Sequence, residues 1–211
     1  MQKEQNTLTK PLQERGQATR DLLMRTAIVS FTTLGYEASS IRQIETDAGV
    51  NRGLITYHFG TKEEFWKSTV AWSLKEPTAE MAAEFKSAKN VDPGGRMRFL
   101  VRAYVRFCAR SPEFHRLMIK EGTDNGWRLN WLIEHSVAPW YRRLEIMFNE
   151  ANTLGVAPKM TYHHFYYSLT GAAALIFSVA PESELVANIN PMDDDVISAH
   201  ADALADLFFP E

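Results

Sequence analysis

Residues 40–64, SIRQIETDAGVNRGLITYHFGTKEE, decide the fold of this chain. Ser40 and Gln43 have the Ser-x-x-Gln spacing of a capping box, which predicts a short helix that begins after Ser40 and closes at the next glycine. Thr61 and Glu64 repeat the spacing with a glutamate and predict the start of a further, longer helix. The segment between these two helices then decides what kind of domain the stretch forms.

That segment predicts another short helix, capped by Asn51 and with Ile55 and Phe59 on its apolar face. Two short helices joined by a turn that contains glycine form a helix-turn-helix, whose second helix lies in the major groove of DNA. Burial of the apolar face leaves an outward face made of Arg52, Gly53, Thr56 and Tyr57. Because glycine costs ~1 kcal/mol relative to alanine in a helix, Gly53 indicates close approach of another backbone, here DNA. The alternative is a solvated helix face with a tolerated glycine.

The whole chain has the apolar spacing of helices, so the predicted fold class is all-α. It combines an N-terminal three-helix DNA-binding domain, containing the helix-turn-helix, with a larger C-terminal helical domain. Helix one is predicted to begin at Thr19, a suitable N-cap. The predicted divisions are a flexible polar arm (1–16), the DNA-binding domain (17–77) and the C-terminal domain (78–211).

Prolines and glycines predict where the later helices are interrupted. Pro77 is expected to break or kink the fourth helix, and residues 92–95, Asp-Pro-Gly-Gly, to form a loop. Pro139 is expected to kink a long helix over residues 126–152. The last two predicted helices cover residues 162–179 and 193–208.

Composition excludes several classes of protein. Of the 211 residues 45% are hydrophobic, which is ample for a buried core, and a net charge of −3 means that DNA binding needs a local basic face. The single cysteine, Cys108, cannot form an internal disulfide, and the polar N-terminus lacks the apolar core of a signal peptide. The most apolar stretch, residues 169–180, is shorter than the ~20 residues of a membrane span. We therefore expect a cytoplasmic protein without a membrane partner.

An ordered set of motifs runs through residues 19–66: Gly35-Tyr36, Ala48-Gly49-Val50, Asn51-Arg52-Gly53, His58-Phe59 and Lys62-Glu63-Glu64. With them, these residues resemble the DNA-binding domain of the tetracycline-repressor (TetR/AcrR) family almost end to end. The resemblance implies a regulator that binds double-stranded operator DNA, with Arg42 and Arg52 reading bases. It also implies phosphate contacts from Tyr57, His58 and Lys62, which position the protein without specifying sequence. The full predicted contact set is Ser40, Arg42, Gln43, Asn51, Arg52, Gly53, Leu54, Thr56, Tyr57, His58 and Lys62.

Some of these positions have two interpretations. Ser40 and Gln43 either bond to phosphate or act only as a capping box. Leu54 stands where the family often has threonine, and Thr56 where it often has tyrosine, so we expect a different operator. Leu54 either meets a thymine methyl group or packs beneath the recognition helix.

The C-terminal half carries helical patterns without a specific motif, and its last two helices have the small and large apolar residues of a four-helix bundle between two subunits. A two-fold dimer also places two recognition helices ~34–36 Å apart on a palindromic site. The alternative is that these helices close the core of a monomer. The predicted interface residues are Leu169, Ala172, Ala173, Ile176, Leu204, Leu207 and Phe208.

Aromatic residues recur in this half, and from them we predict a pocket for an apolar or aromatic effector, lined by Tyr104, Phe107, Trp131 and Phe165. The alternative is that these rings are plain core. The identity of the effector does not follow from the sequence.

Signals for other chemistry are weak. Adjacent His163 and His164 point about 100° apart on a helix, and the acids of residues 193–195 complement a helix N-terminus, so we expect no metal. Cys108 lies in an apolar stripe and is expected to be a buried thiol. No catalytic or cofactor-binding signature occurs. We therefore predict a homodimeric repressor released from a palindromic operator by a small effector. The alternatives are an activator or co-repressed regulator on the same fold, and a helical ligand-binding or enzymatic protein that no longer reads DNA.

Overall fold

The computed structural model describes the backbone of residues 2–87 and 91–210, and the side chains of residues 15–86 and 91–210. The described residues form helices and connecting turns without a β-strand, which confirms the all-α prediction. The chain divides into two compact units, residues 1–75 and 76–211, whereas the sequence places the division after residue 77. The helices are α1 (Gln2–Thr33), α2 (Ile41–Asp47), α3 (Leu54–Phe59), α4 (Lys62–Ser87), α5 (Pro93–Arg110), α6 (Pro112–Glu121), α7 (Trp127–Leu132), α8 (Ala138–Thr153), α9 (Tyr162–Ser178), α10 (Ala180–Ala187) and α11 (Asp194–Phe208), with a π-helical turn (Ile133–Val137) before α8.

Helix α1 begins at Gln2, so the start predicted at Thr19 is wrong. The Thr19 hydroxyl donates to the carbonyl oxygen of Arg15 at 3.0 Å, one turn earlier, and so bonds within the helix instead of capping it. The segment predicted as an arm, residues 1–16, is therefore helical from Gln2 onward. The side chains of residues 1–14 lie outside the described part of the chain, and the mobility of the arm stays a prediction.

Both predicted capping boxes stand at the start of a helix. The Ser40 side chain accepts from the Gln43 amide at 3.4 Å and begins α2. The Thr61 hydroxyl accepts from the Glu64 amide at 3.1 Å and begins α4. The first box is only half made, because the Gln43 side chain donates to Asp47 at 2.7 Å instead of returning to Ser40.

The prolines act differently from the prediction. Helix α4 continues through Pro77 to Ser87, so the helix is not broken there, and the alternative of a kink at Pro77 stays a prediction. Residues 93–95, predicted as a loop, form the first turn of α5, because Asp92 caps the helix by accepting from the Gly95 amide at 3.0 Å. Proline is tolerated at such a helix start, where its missing amide leaves no bond unmade. Pro139 lies in the first turn of α8, where proline is tolerated. The irregularity in the helix predicted over residues 126–152 is instead the π-helical turn, which ends just before α8.

Large buried side chains hold the short helices of the N-terminal unit. The Phe65 ring lies 4.7 Å from that of Phe59 and 6.0 Å from that of Phe31, measured between centroids. Ile44 of α2 and Ile55 of α3 are also buried. Each such side chain contributes about 1.5–3 kcal/mol on burial, whereas helices of six or seven residues are unstable alone. The core therefore determines that α2 and α3 form.

Helix α5 organises the C-terminal unit through two faces. One face is buried and carries the stripe that the sequence predicts: Met97, Leu100, Val101, Tyr104, Phe107 and Cys108. The other carries arginines at every fourth position, which pair with acids of α11 and α4: Arg98 with Asp206, Arg102 with Asp202, Arg106 with Glu84 and Arg110 with Glu80. Part-exposed ion pairs contribute only ~0–1 kcal/mol each, so the apolar face supplies most of the stability of α5.

Helix α10 has no counterpart in the prediction. It is short, begins with Pro181 in its first turn and ends at Asn188 in the left-handed conformation, with a φ of 52°. Over the described residues, none of the helices alone has the length and apolarity needed to cross a membrane. Helices α9 and α10 reach that length only as a pair, and they are bent by 77° at the break between them.

Candidate nucleic-acid interface

Helix α3 has a buried side and a polar, exposed side, as its spacing predicts. Ile55 and Phe59 are buried in the core of the N-terminal unit. Arg52, Thr56 and Tyr57 are exposed, and the Tyr57 residue keeps 80% of its surface in solvent. The exposed tyrosine offers a partner a ring and a hydroxyl donor, and the exposed arginine offers a guanidinium fork.

Gly53 is the N-cap of α3, and its backbone conformation requires glycine. Its φ of 89° lies in the left-handed region, where a residue with a Cβ pays about 1–2 kcal/mol. A Cβ added at Gly53 would meet no atom within 4 Å, so crowding inside the protein is not the reason for the glycine. The prediction that Asn51 caps α3 is therefore wrong, because the chain turns into the helix two residues later, at Gly53.

Glu45 of α2 caps α3 from a distance. Its Oε1 accepts from the Ile55 amide at 2.9 Å, and the residue is only 3% exposed. The first amides of a helix have no acceptor within the helix, and a carboxylate there is further stabilised by the helix dipole. The bond fixes the start of α3 relative to α2. Sequence reasoning missed Glu45, because a bond between residues ten positions apart leaves no periodic signal.

The candidate residues on and just before α2 differ in whether their side chains already form hydrogen bonds within the protein. Arg42, Gln43 and Ser40 are all exposed. Ser40 caps α2 and Gln43 bonds to Asp47, so the capping interpretation accounts for Ser40 and half accounts for Gln43. The Arg42 guanidinium has no ion pair with any residue in the described part of the chain, and its full set of donors faces solvent.

Arg20 of α1 braces the end of α3. Its Nη1 donates to the His58 carbonyl oxygen at 2.7 Å, and its guanidinium carbon lies 4.3 Å from the centroid of the Phe59 ring. Burial lowers the pKa of His58, and the positive charge of Arg20 lowers it further. The imidazole is therefore neutral at neutral pH and offers a phosphate a hydrogen bond without a charge.

The remaining candidates complete a face with local positive charge. Lys62 Nζ donates to the Glu37 carbonyl oxygen at 3.3 Å and lies 4.4 Å from the centroid of the Tyr36 ring. Leu54, at the first position of α3, is half-buried. The N-terminal unit carries ten basic and eight acidic residues, whereas the C-terminal unit carries thirteen and eighteen. Charge thus favours a polyanionic partner at the N-terminal unit.

Comparison with known proteins agrees with this geometry. Residues 23–68 match the profile of bacterial regulatory proteins of the tetR family. The match covers 46 of the 211 residues and lies within the N-terminal unit. A curated relative, the HTH-type transcriptional repressor NicS of Pseudomonas putida, is 28% identical over 116 residues, which are 54% of this chain and 52% of NicS. The chain thus spans about half the length of the curated relative that it matches.

Solved structures share the fold over most of the chain. AibR in complex with isovaleryl coenzyme A and operator DNA has a TM-score of 0.71 at 17% identity, over 91% of this chain and 98% of that one. A putative fatty acid metabolism regulator of Clostridium perfringens has a TM-score of 0.67 at 17% identity, over 88% and 95% of the two chains. At this identity the likeness shows the fold alone.

The C-terminal unit contains an aromatic cluster with polar groups inside it. Tyr104 and Phe107 are buried, and the Tyr104 ring stacks on that of Trp140 with centroids 5.6 Å apart and 14° between the planes. The Tyr104 hydroxyl lies 3.4 Å, and the Cys108 Sγ 3.5 Å, from Nε2 of His115. Burial raises the pKa of Cys108 and lowers that of His115 to about 4. The cluster is therefore uncharged at neutral pH, and Cys108 is a buried thiol.

The four residues predicted to line an effector pocket do not form one group. Phe165 packs against Phe148 and Phe208, with ring centroids 4.9 and 5.4 Å apart. Trp131 stacks on His135 at 4.7 Å. Tyr104 and Phe107 stay together, with centroids 6.0 Å apart. Trp140 and His115 join them, although their spacing in the sequence did not select them.

The residues predicted for the subunit interface divide between core and surface. Leu169, Ala173, Leu204 and Phe208 are buried within the single chain, Ala172 and Ile176 are half-buried, and Leu207 is 69% exposed. Two further apolar side chains of α9, Tyr167 and Leu175, are exposed, at 71% and 56%. The apolar pattern of a helix does not show which of its sides packs into the core of the same chain. The predicted interface set does not include Tyr167 and Leu175 for that reason.

The histidines of α9 and α11 have ordinary partners. Both His163 and His164 lie within hydrogen-bond distance of the Thr161 hydroxyl, and His200 Nε2 lies 3.0 Å from the Ala172 carbonyl oxygen. Within the residues that the structure describes, no three or more histidine, cysteine or acidic side chains are grouped to hold a metal ion.

Proposed function

We propose that this chain is a homodimeric transcriptional repressor, released from a palindromic operator by a small apolar or aromatic effector. The observation that carries the proposal is the exposed polar surface formed by Arg52, in the turn before α3, and by Thr56 and Tyr57 of α3, a helix that Glu45 holds to α2. A rigid helix with an outward tyrosine, preceded directly by an exposed arginine, suits recognition in the major groove. The relative NicS is named a repressor, and the AibR structure contains operator DNA, which supports the same assignment.

In this proposal the side chains divide by role. Arg42 and Arg52 form bidentate contacts with guanine O6 and N7, the commonest specific contact in the major groove. Tyr57, His58 and Lys62 bond to phosphate oxygens and set the register on the duplex. His58 contributes a neutral hydrogen bond, so its contact adds little to the salt dependence of binding, whereas each cation adds about one unit to the slope.

A second copy of the chain is the proposed partner of α9 and α11. Tyr167, Leu175 and Leu207 expose apolar surface, and burying it against the same surface of another subunit is favourable. One recognition helix reads only a few base pairs, while a two-fold dimer reads two half-sites ~34–36 Å apart. The buried residues Leu169, Ala173, Leu204 and Phe208 support this surface from beneath.

The proposed effector site is the cluster of Tyr104, Phe107, Trp140 and His115. Its rings suit an apolar or aromatic ligand, and the neutral His115 and Tyr104 hydroxyl offer hydrogen bonds to one polar group. Release follows if the ligand binds better to the dimer conformation that fits DNA poorly. A 100-fold loss of operator affinity needs ~2.7 kcal/mol of differential binding.

Selection of duplex DNA from a random pool tests the DNA-reading part of the proposal. The wild type should enrich a palindrome, and Arg52→Ala should change or abolish its half-sites. Lys75→Ala is the matched control, since this exposed cation lies thirteen residues, or ~20 Å, further along the same helix than Lys62. A failure of the wild type to enrich any sequence across a salt series, or the same loss in both variants, would contradict the proposal.

Sedimentation tests the dimer separately. Leu207→Glu should yield a monomer and lose the palindrome, because a charge is placed in the proposed apolar interface. Ile146→Glu is the control, because Ile146 on α8 is as exposed as Leu207, at 70% against 69%. Dissociation by both substitutions, or by neither, would rule out this interface.

A further inference from the structure

Three cationic side chains surround a groove in the C-terminal unit. Ala82, Phe85 and Lys86 of α4, Arg96 of α5 and Arg143 of α8 line a cavity of about 240 Å³. The first three residues lie on one face of α4, at the i, i+3 and i+4 spacing. Three helices therefore meet at this groove, and each supplies one cation.

These cations are weakly compensated within the protein. The Arg96 Nη2 lies 3.5 Å from Glu150 Oε1, a long contact between partly exposed groups. Its Nε also donates to the Val91 carbonyl oxygen at 3.3 Å, which fixes its guanidinium at the rim and leaves further donors. Over the residues that the structure describes, no carboxylate lies within ion-pair distance of Lys86 or Arg143. The groove thus gathers positive charge in a unit in which acids outnumber bases, eighteen to thirteen.

The Phe85 ring gives the groove an apolar wall and a fixed cation. The guanidinium carbon of Arg143 lies 5.5 Å from the centroid of that ring, within the range of a cation–π contact. This contact positions the guanidinium of the exposed Arg143 beside the groove. The planar donors of the guanidinium match the spacing of two phosphate oxygens. A lysine ammonium group, in contrast, acts on a phosphate only as a point charge.

We propose that this groove binds the phosphate or diphosphate group of a small metabolite. Its volume is below the ~300–1,000 Å³ typical of pockets that enclose a whole drug-sized ligand, so it suits a compact group. Three cations against one carboxylate leave an excess of about two positive charges, which matches a dianion better than a monocarboxylate. All residues of the groove belong to the C-terminal unit, whereas the proposed DNA-contact residues belong to the N-terminal unit.

Titration of the full chain with inorganic pyrophosphate and with ADP, followed by phosphorus NMR at low salt, tests this proposal. Both should bind saturably, and Arg143→Gln should weaken binding by about tenfold or more, the effect of losing a charge-assisted hydrogen bond. Arg142→Gln is the matched control, because this exposed arginine is adjacent but lines no part of the groove. It should change the affinity less than about twofold.

Two further measurements complete the test. One distinguishes a nucleoside diphosphate from a free anion as the ligand, and the other checks that the probes do not bind at the proposed DNA-contact residues. Tighter binding of ADP than of pyrophosphate, removed by Phe85→Leu, would assign the ring to a nucleoside, whereas equal binding would assign the site to the free anion. Arg52→Ala should leave both affinities unchanged. The proposal is overturned if neither pyrophosphate nor ADP saturates the protein by about 10 mM, because a Kd above that concentration means negligible binding. It is also overturned if Arg142→Gln weakens binding as much as Arg143→Gln does, or if acetate binds as tightly as the two phosphate probes.

Discussion

Glu45 offers a sharp test of the architecture, because one carboxylate joins the two helices of the helix-turn-helix. Glu45→Ala removes the acceptor of the 2.9 Å bond and leaves the amide of the fully buried Ile55 without it. A hydrogen bond to a charged group contributes about 1.5–3 kcal/mol, and an unsatisfied buried donor costs about 1–3 kcal/mol. These two figures describe the same loss and are not added. We therefore expect Glu45→Ala to lower the free energy of opening of α3 by about 2–3 kcal/mol, equivalent to a 30- to 150-fold rise in the opening equilibrium.

Hydrogen exchange of the Ile55 amide, followed by NMR under native conditions, measures that equilibrium directly. Glu45→Gln keeps the shape and a neutral acceptor, so it should fall between the wild type and Glu45→Ala, with a loss of about 1 kcal/mol. Asp47→Ala is the control on the same helix, since Asp47 is exposed and, among the residues that the structure describes, accepts from Gln43 alone. It should cost less than about 0.5 kcal/mol.

The opposite result is equally clear. Unchanged exchange of the Ile55 amide in Glu45→Ala would mean that the bond contributes nothing to holding α3. Equal losses in Glu45→Ala and Asp47→Ala would point to the net charge of α2 instead of a specific bond. Either result would refute the argument that Glu45 positions the recognition helix.

A Cβ added at Gly53 or at Gly16 meets nothing within 4 Å, but only Gly53 has a positive φ. In urea unfolding, Gly53→Ala should therefore destabilise the protein by about 1–2 kcal/mol, and Gly16→Ala, inside α1, should stabilise it by about 0.5–1 kcal/mol. Effects of the same sign would contradict this. The pKa of His115 is lowered from 6.5 to about 4 in the folded chain, so its contribution is complete above pH 6.5 and is lost as the pH falls toward 4. Between pH 7 and 5 the wild type should lose about 2 kcal/mol that His115→Gln does not lose, while a His135→Gln control keeps the wild-type slope.

Local signals in the sequence predicted the helix-turn-helix well. The capping pattern at Ser40 and Thr61 acts over three residues, so the sequence contains both partners of each bond. The burial of Ile55 and Phe59 follows from their spacing on a helix of fewer than two turns. Because these two residues face the core, the remaining positions of the segment are predicted to face outward.

The features that sequence missed depend on partners far along the chain or on backbone angles. Glu45 was missed because its partner lies on another helix, and Asn51 was chosen as a cap because its side chain suits that role better than glycine. Residues 92–95 look like a loop by composition, yet Asp92 turns them into a helix start. Leu169 and Leu204 looked equally suited to a core and to an interface, and only the packing of α9 and α11 shows that both are buried within one chain.

Helix α3 divides its few positions cleanly between two tasks. Ile55 and Phe59 are buried in the core, whereas Thr56 and Tyr57, together with Arg52 in the turn before the helix, are exposed. Substitutions on the outer face should therefore change stability by no more than about 0.5 kcal/mol. In evolutionary terms, a duplicated gene is free to try new outer residues without first acquiring compensating changes inside the domain. New binding preferences can then arise by drift through folded intermediates. Under the proposed function, selection acts on which promoters the copy occupies.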